Sequence, residues 1–367
     1  MPEAADKTSL IAMKTEADLP IDVLQQGLLV WYDASGRSLP WRLRPEDRAA
    51  GKIADPYAIW LSEIMLQQTT VPHATPYWFK FLERWPTIHD LASADEDDVF
   101  AAWAGLGYYA RARNLLACAK VVSAGGGDFP TDEAALLALP GIGHYTAAAI
   151  RAAAFNLPAS VVDGNVERVI TRLCAIPDPV KKSKPVIRRI AAALASPDRS
   201  GDYAQAIMDL GATVCTPRSP SCEACPWQSA CAAFAEGRPG HYPVKGAKIA
   251  RPVRRGVGFA VFRDDRIWLR KRPAKGLLGG MLEVPSTDWR TEGWQKAEAG
   301  KAAPLDVDWT VKATIDHVFT HFSLEMTMWR AEADADWVPE TGSWYRVDQI
   351  DALALPSVMK KAIRAAL

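Results

Sequence analysis

The sequence predicts two domains of different class: an all-α domain over residues 1–235 and a smaller α+β domain over residues 256–367, joined by a basic linker at 236–255. Three observations predict this. Alanine-rich segments with 3.6-residue apolar spacing recur through the first two-thirds of the chain, where β-branched alternation is scarce. The character changes after Cys231, where Pro, Gly and basic residues dominate. Beyond that stretch come short β-branched and aromatic runs, closed by a helical C-terminal segment.

In the first domain helices are expected at 23–32, 58–67, 94–103, 133–138, 145–155, 185–195 and 203–214. Pro, Gly and Asp signals separate them, and Thr131 in Phe-Pro-Thr-Asp suits an N-cap. In the second, strands are expected at 257–262, 266–270, 310–315, 322–329 and 342–346, then a helix at 357–367. At 367 residues the chain can bury two cores, and 49% hydrophobic with 23% charged residues is ordinary globular usage. No apolar run is long enough for a bilayer span. Residues 1–20 carry acids and lysines where a signal peptide would be apolar, so the chain is expected to stay where it is made.

The net charge is formally zero, but its distribution is uneven. Residues 238–255 hold Arg238, Lys245, Lys248, Arg251, Arg254 and Arg255 and no acid. Lys181, Lys182, Lys184, Arg188 and Arg189 form a second cluster. Each run reads equally as a solvated segment or as a phosphate-binding surface.

Six cysteines without a secretory segment point to reduced thiols or metal ligands. Cys215, Cys222, Cys225 and Cys231, spaced C-x6-C-x2-C-x5-C, can wrap one metal centre, zinc or an iron–sulfur cluster. Only one pair has the knuckle spacing that zinc usually takes twice, so a compact loop around a [4Fe–4S] cubane fits better. Cys118 and Cys174 lie in apolar helical surroundings and read as packing residues.

Three further segments carry chemistry. Residues 139–143, Leu-Pro-Gly-Ile-Gly, join two helical segments; Gly141 and Gly143 permit a tight turn whose outward N–H groups suit a phosphate, or merely an αα-corner. Asp163 follows in Val-Asp-Gly-Asn-Val, where an acid beside Gly164 and Asn165 could be only a turn or an N-cap. Glu63 is the only acid in an otherwise apolar helix, and such surroundings raise a carboxyl pKa toward the range useful for proton donation.

The strings containing these residues resemble those of the MutY-type adenine DNA glycosylases, in the helix-hairpin-helix superfamily of endonuclease III. The segment Asp-Pro-Tyr-Ala-Ile-Trp-Leu-Ser-Glu-Ile-Met-Leu-Gln-Gln-Thr at 55–69 is similar to that family's active-site helix, and the hairpin and Asp163 occur there together. Leu-Pro-Trp-Arg at 39–42, Gly-Tyr-Tyr-Ala-Arg-Ala-Arg-Asn at 107–114 and the cysteine loop match as well. The resemblance implies a helix-hairpin-helix at about 131–155 and a cluster loop at 215–231. It implies Glu63 as the acid that protonates adenine N7, Asp163 as the catalytic aspartate and Asn165 as its support. It implies Trp41, Arg42 and Gln205 around the adenine, and Gln68 and Tyr108 as side chains inserted into the base stack. Endonuclease III has a Schiff-base lysine where this chain has Tyr145, so strand-cutting lyase chemistry is expected to be absent or slight.

Residues 271–285 resemble the Nudix-like domain of the same family, which implies an α+β lesion-recognition module. The glutamate run of a working Nudix hydrolase is missing from 288–303, and Leu278 or Leu282 replaces a frequent Trp. Phe319, Thr320 and His321 stand where the family usually has Phe-Ser-His, a loop that contacts 8-oxoguanine. The resemblance implies duplex DNA with adenine opposite 8-oxoguanine or guanine as substrate; a monomer in the bacterial cytoplasm is expected. The rival readings are an endonuclease III-like pyrimidine glycosylase, and a catalytically silent DNA-binding or electron-transfer protein. Tyr145 and the C-terminal domain oppose the first, the pair Glu63 and Asp163 the second.

Overall fold

The computed structural model describes residues 13–246, 250–273, 276–353 and 355–367; Lys248 of the basic linker lies outside the described residues. The chain divides into two compact units, residues 1–93 with 117–247 and residues 94–116 with 248–367. No helix among the described residues is long and apolar enough to cross a membrane.

The helices run α1 (Ile21–Ser35), α2 (Pro45–Ala49), α3 (Pro56–Leu66), α4 (Val71–Arg84), α5 (Ile88–Ser93) and α6 (Glu96–Trp103). They continue as α7 (Ala110–Ala124), α8 (Glu133–Leu137), α9 (His144–Phe155), α10 (Gly164–Leu173), α11 (Val180–Leu194), α12 (Ser200–Asp209) and α13 (Ala232–Ala235). α1 is amphipathic: Leu24, Leu28 and Tyr32, four residues apart, are buried, while Val23 and Val30 face out. That face meets Val166, Val169 and Ile170 of α10, Ile187 and Ile190 of α11, and Ala206 and Ile207 of α12 in one core. α3 starts from an Asp55 side chain that accepts from Tyr57 N at 2.9 Å, with Pro56 in its first turn. It is apolar on every side and so lies inside, with Trp60 fully buried against Phe129. The alanines of α9 let it pack on both α3 and α12.

Several local expectations need correction. Asp132, not Thr131, caps α8, its carboxylate accepting from Ala135 N at 2.9 Å. α11 begins at Val180, five residues before the expected start at Pro185. α4 was not expected at all, and it contains Pro72 and Pro76. In both, a proline that would break an exposed helix is tolerated because the apolar face remains buried. The helix expected over 203–214 ends at Asp209 and continues as a π turn, Leu210–Val214, that delivers Cys215. The supposed linker is structured at both ends. Tyr242 is buried, its hydroxyl donates to Glu236 at 3.0 Å, and the first strand already begins at Val253.

The second unit holds a sheet of β1 (Val253–Arg263), β2 (Arg266–Lys271), β3 (Leu282–Glu283), β4 (Thr310–Val318), β5 (Ser323–Glu332) and β6 (Ser343–Arg346). The order is β3-β2-β1-β5-β4, with β6 also on β2; β1 and β5 are parallel and the other pairs antiparallel. β1 is buried from Gly256 to Phe262 because both faces are covered. On one face Ala260 and Phe262 share a core with Val358, Met359 and Ile363 of the helix Ser357–Ala366; on the other Val257 and Phe259 meet Trp329 and Trp309.

Candidate active site

Five separate segments bring polar side chains to one cavity of about 190 Å³, more than ten times what a single water needs. It is lined by Trp41 and Arg42 before α2, Glu63 of α3, Tyr145 of α9, Asp163 and Asn165 at the start of α10, and Gln205 of α12. All seven were singled out from the sequence. Gln68 sits at the rim, next to the lining residues Leu66 and Thr69; Tyr108, Phe319, Thr320 and His321 belong to the other unit.

Glu63 is 8% exposed, and its Oε2 makes no hydrogen bond among the described residues. Burial lifts its pKa from the usual carboxylate range to about 6. The neighbouring Tyr145 hydroxyl and the Arg42 charge pull it down, and Asp163 pushes it up. Burial also raises Tyr145 well above the usual phenol value, so this hydroxyl keeps its proton at neutral pH.

Asp163 caps α10: Oδ1 accepts from Val166 N at 2.7 Å and Oδ2 from Asn165 Nδ2 at 3.0 Å. Asn165 is itself held by Arg168, which donates to its Oδ1 at 2.8 Å and to the carbonyls of Gly211 and Cys215. Gly211 must be glycine, since a Cβ there would sit 2.6 Å from Asn165 Cβ. Arg42 donates to the fully buried carboxylate of Asp209 at 2.9 Å, and Arg37 shares it at 2.7 Å. Trp41 packs edge-on against Trp78. Sequence reasoning missed Asp209, Arg37, Arg168 and Tyr32; the only signal was that Asp209 follows Gln205 by four positions, one helical turn.

In the hairpin Gly141 has φ 76°, and Gly143 caps α9 without a side-chain hydrogen bond, leaving the first N–H groups of α9 available to an anion. Two exposed residues expected at the base stack, Gln68 and Tyr108, also lie in the left-handed region, at φ 57° and 47°. In the second unit the Phe319 ring turns inward, stacked 5.6 Å from Trp289 and 4.8 Å from Phe322. Thr320 and His321 are the exposed residues of that turn.

The four cysteines of residues 215–231 line a second cavity with Val169, Leu210 and Trp227. Trp227 Nε1 donates to Leu24 O at 2.8 Å and pins the loop to α1. The buried Arg172 donates to the carbonyls of Cys215, Thr216, Pro217 and Tyr242 and to Cys215 Sγ at 3.2 Å. Among the described residues no three Cys, His, Asp or Glu converge closely enough for a single ion, although the four thiols face one cavity. This donor set fits a cluster with several iron atoms better than zinc. Cys118 and Cys174 are buried, and burial pushes both thiols up to about 12.

Residues 61–196 match the HhH-GPD superfamily of base excision DNA repair proteins, 215–231 the iron-sulfur binding domain of endonuclease III and 257–365 the NUDIX domain. The adenine DNA glycosylase of Homo sapiens is 33% identical over 409 residues, covering 94% of this chain and 74% of that protein. The chain belongs to the adenine DNA glycosylase family. The Arabidopsis thaliana adenine DNA glycosylase is 40% identical over 300 residues, covering 72% of this chain and 47% of that protein, so the match spans under half of its length. A thermostable thymine-DNA glycosylase structure is similar with TM-score 0.51 and 29% identity, over 59% of this chain and 96% of that one. Membership brings with it the [4Fe–4S] cluster, and Cys215, Cys222, Cys225 and Cys231 are the residues that would hold it. Cys225→Ser is therefore expected to lower the iron-to-protein ratio and the thermal midpoint together. A variant that keeps full iron content would exclude Cys225 as a ligand.

Proposed function

We propose that this protein hydrolyses the N-glycosidic bond of adenine paired with 8-oxoguanine, or with guanine, in duplex DNA, without an efficient lyase step. One observation carries the reading: two carboxylates in unlike surroundings, Glu63 and Asp163, share a cavity with a phenol, Tyr145, and no amine.

The target adenine must leave the duplex to reach such a cavity. Gln68 and Tyr108 fill or pry open the stack it vacates. Glu63, protonated in a useful fraction near neutral pH, gives its proton to adenine N7. The C1′–N9 bond then breaks, its electron pair leaving with N9 on a neutral adenine, and the sugar takes on oxocarbenium character. The Asp163 carboxylate, aimed by Asn165 and the N-terminus of α10, stabilises that cation or bonds to it transiently. Water adds to C1′ and its proton returns to a carboxylate. Thr320 and His321 meet the 8-oxoguanine, Gly141 and Gly143 the phosphate backbone. The cluster, when bound, supplies a rigid scaffold for the loop. We place the enzyme, as a monomer, in the bacterial cytoplasm with the DNA.

The test is single-turnover adenine release from duplexes with adenine opposite 8-oxoguanine, guanine or thymine, with borohydride added to trap any Schiff base. Release from the first two without a trapped adduct is expected. No release from folded, iron-loaded protein would overturn the adenine reading; a trapped adduct would overturn the monofunctional one.

A further inference from the structure

Behind the wall of the main cavity lies a pair that the sequence does not connect. Tyr32 of α1 and Gln205 of α12 are both buried, at 0% and 3% exposure, and the tyrosine hydroxyl donates to Gln205 Oε1 at 2.7 Å. Among the described residues that hydroxyl has no other acceptor. The charges acting on it are two guanidiniums, Arg42 and Arg44, the latter with its Cζ 4.9 Å from the ring centre, and the Asp209 carboxylate; guanidiniums only donate, and the Asp209 oxygens are taken by Arg37 and Arg42. The hydroxyl proton therefore goes to the glutamine carbonyl. Turning the amide over would leave that proton unbonded in a closed site. The opposite end, Nε2, makes no hydrogen bond among the described residues, and Gln205 lines the cavity.

We propose that Tyr32 is a positioning residue that fixes Gln205 as a hydrogen-bond donor, so that the cavity selects a purine with a ring-nitrogen acceptor facing it. The inference rests on the adenine reading above. Once Glu63 has engaged N7, adenine still offers N1 and N3 as acceptors. A site built to donate discriminates strongly against a base that carries C–H at the matching position, because the buried donor is then left unpaired.

The experiment compares single-turnover release of adenine, 1-deazaadenine and 3-deazaadenine, each opposite 8-oxoguanine, by wild type and Tyr32→Phe. The variant is expected to release adenine about tenfold to a hundredfold more slowly, the effect of loosening one buried hydrogen bond. One of the two analogues already lacks the matched acceptor and should be slowed far less, so its rate gap to adenine narrows. Gln205→Leu should narrow the same gap, and adding Tyr32→Phe to it should cost nothing more. Tyr32→Met, which also lacks the hydroxyl, is the second variant should Tyr32→Phe not fold. Equal slowing of all three bases would mark a merely structural tyrosine and overturn the proposal. If wild type itself released no adenine, the failure would lie with the proposed function instead.

Discussion

Glu63→Gln is expected to slow adenine release by roughly 10³- to 10⁴-fold at pH 7, the range that a well-placed general acid supplies. Glutamine keeps the size of the side chain and cannot give a proton to N7. In wild type the proposed acid role predicts a rate highest below about pH 6, falling toward tenfold per pH unit above it, because burial lifts Glu63 to about 6. The variant should lose that limb of the profile. Stability should also fall with rising pH, for a separate reason. Burial raises the folded-state pKa above the ordinary 4.5, so the native protein binds this proton more tightly than the unfolded chain does. Native stability therefore falls as pH rises from about 4.5 to about 6, by about 2 kcal/mol in total. Glutamine has no such loss, and the variant should be more stable than wild type at pH 7 but not at pH 4. Denaturant midpoints at the two pH values, beside the rates, check both halves. A rate unchanged in the variant would remove Glu63 from the mechanism.

The second large effect is expected from Asp163→Asn. The asparagine can still accept from Val166 N, and asparagine is among the best N-cap residues, so α10 should keep its start; its amide nitrogen cannot accept from Asn165 Nδ2, and that lost bond should cost about 1 kcal/mol. The negative charge that faces the developing cation is gone, and excision should fall on the order of 10³-fold. Asp163→Ala should lose the same rate and, in addition, about 1 kcal/mol for the missing cap. The two substitutions thus separate the carboxylate's part in the chemistry from its part in the helix. Equal rates for wild type and the asparagine variant, with iron content intact, would show that the charge is not used.

Much of the helical unit was legible because its helices carry an uninterrupted apolar period. α3, α8 and α9 lie within two residues of where the spacing puts them. α4 was not, since Pro72 and Pro76 read as breakers while burial of Trp78 and Phe81 on the far side outweighs them. α10 was not placed by its period, although Asp163 read as a turn or an N-cap; in the structure it is the N-cap. The seven cavity residues were legible through motifs, but their convergence was not. Nothing local says that Tyr32 bonds a side chain 173 positions away, or that Arg37 and Arg42 share Asp209 across 172 and 167. Such pairs are set by how α1 and the segment after it pack on α12, and sequence periodicity carries no information about partners in that sense.

Gln68 and Tyr108 hold left-handed backbone that most side chains avoid, at a cost of about 1–3 kcal/mol each. Glycine at either position would release that strain. Screening or drift toward heat resistance alone would thus tend to remove both side chains, and the fold would improve while the ability to open a base stack declined. Under the roles proposed for them, stability and repair therefore pull in opposite directions at these two residues.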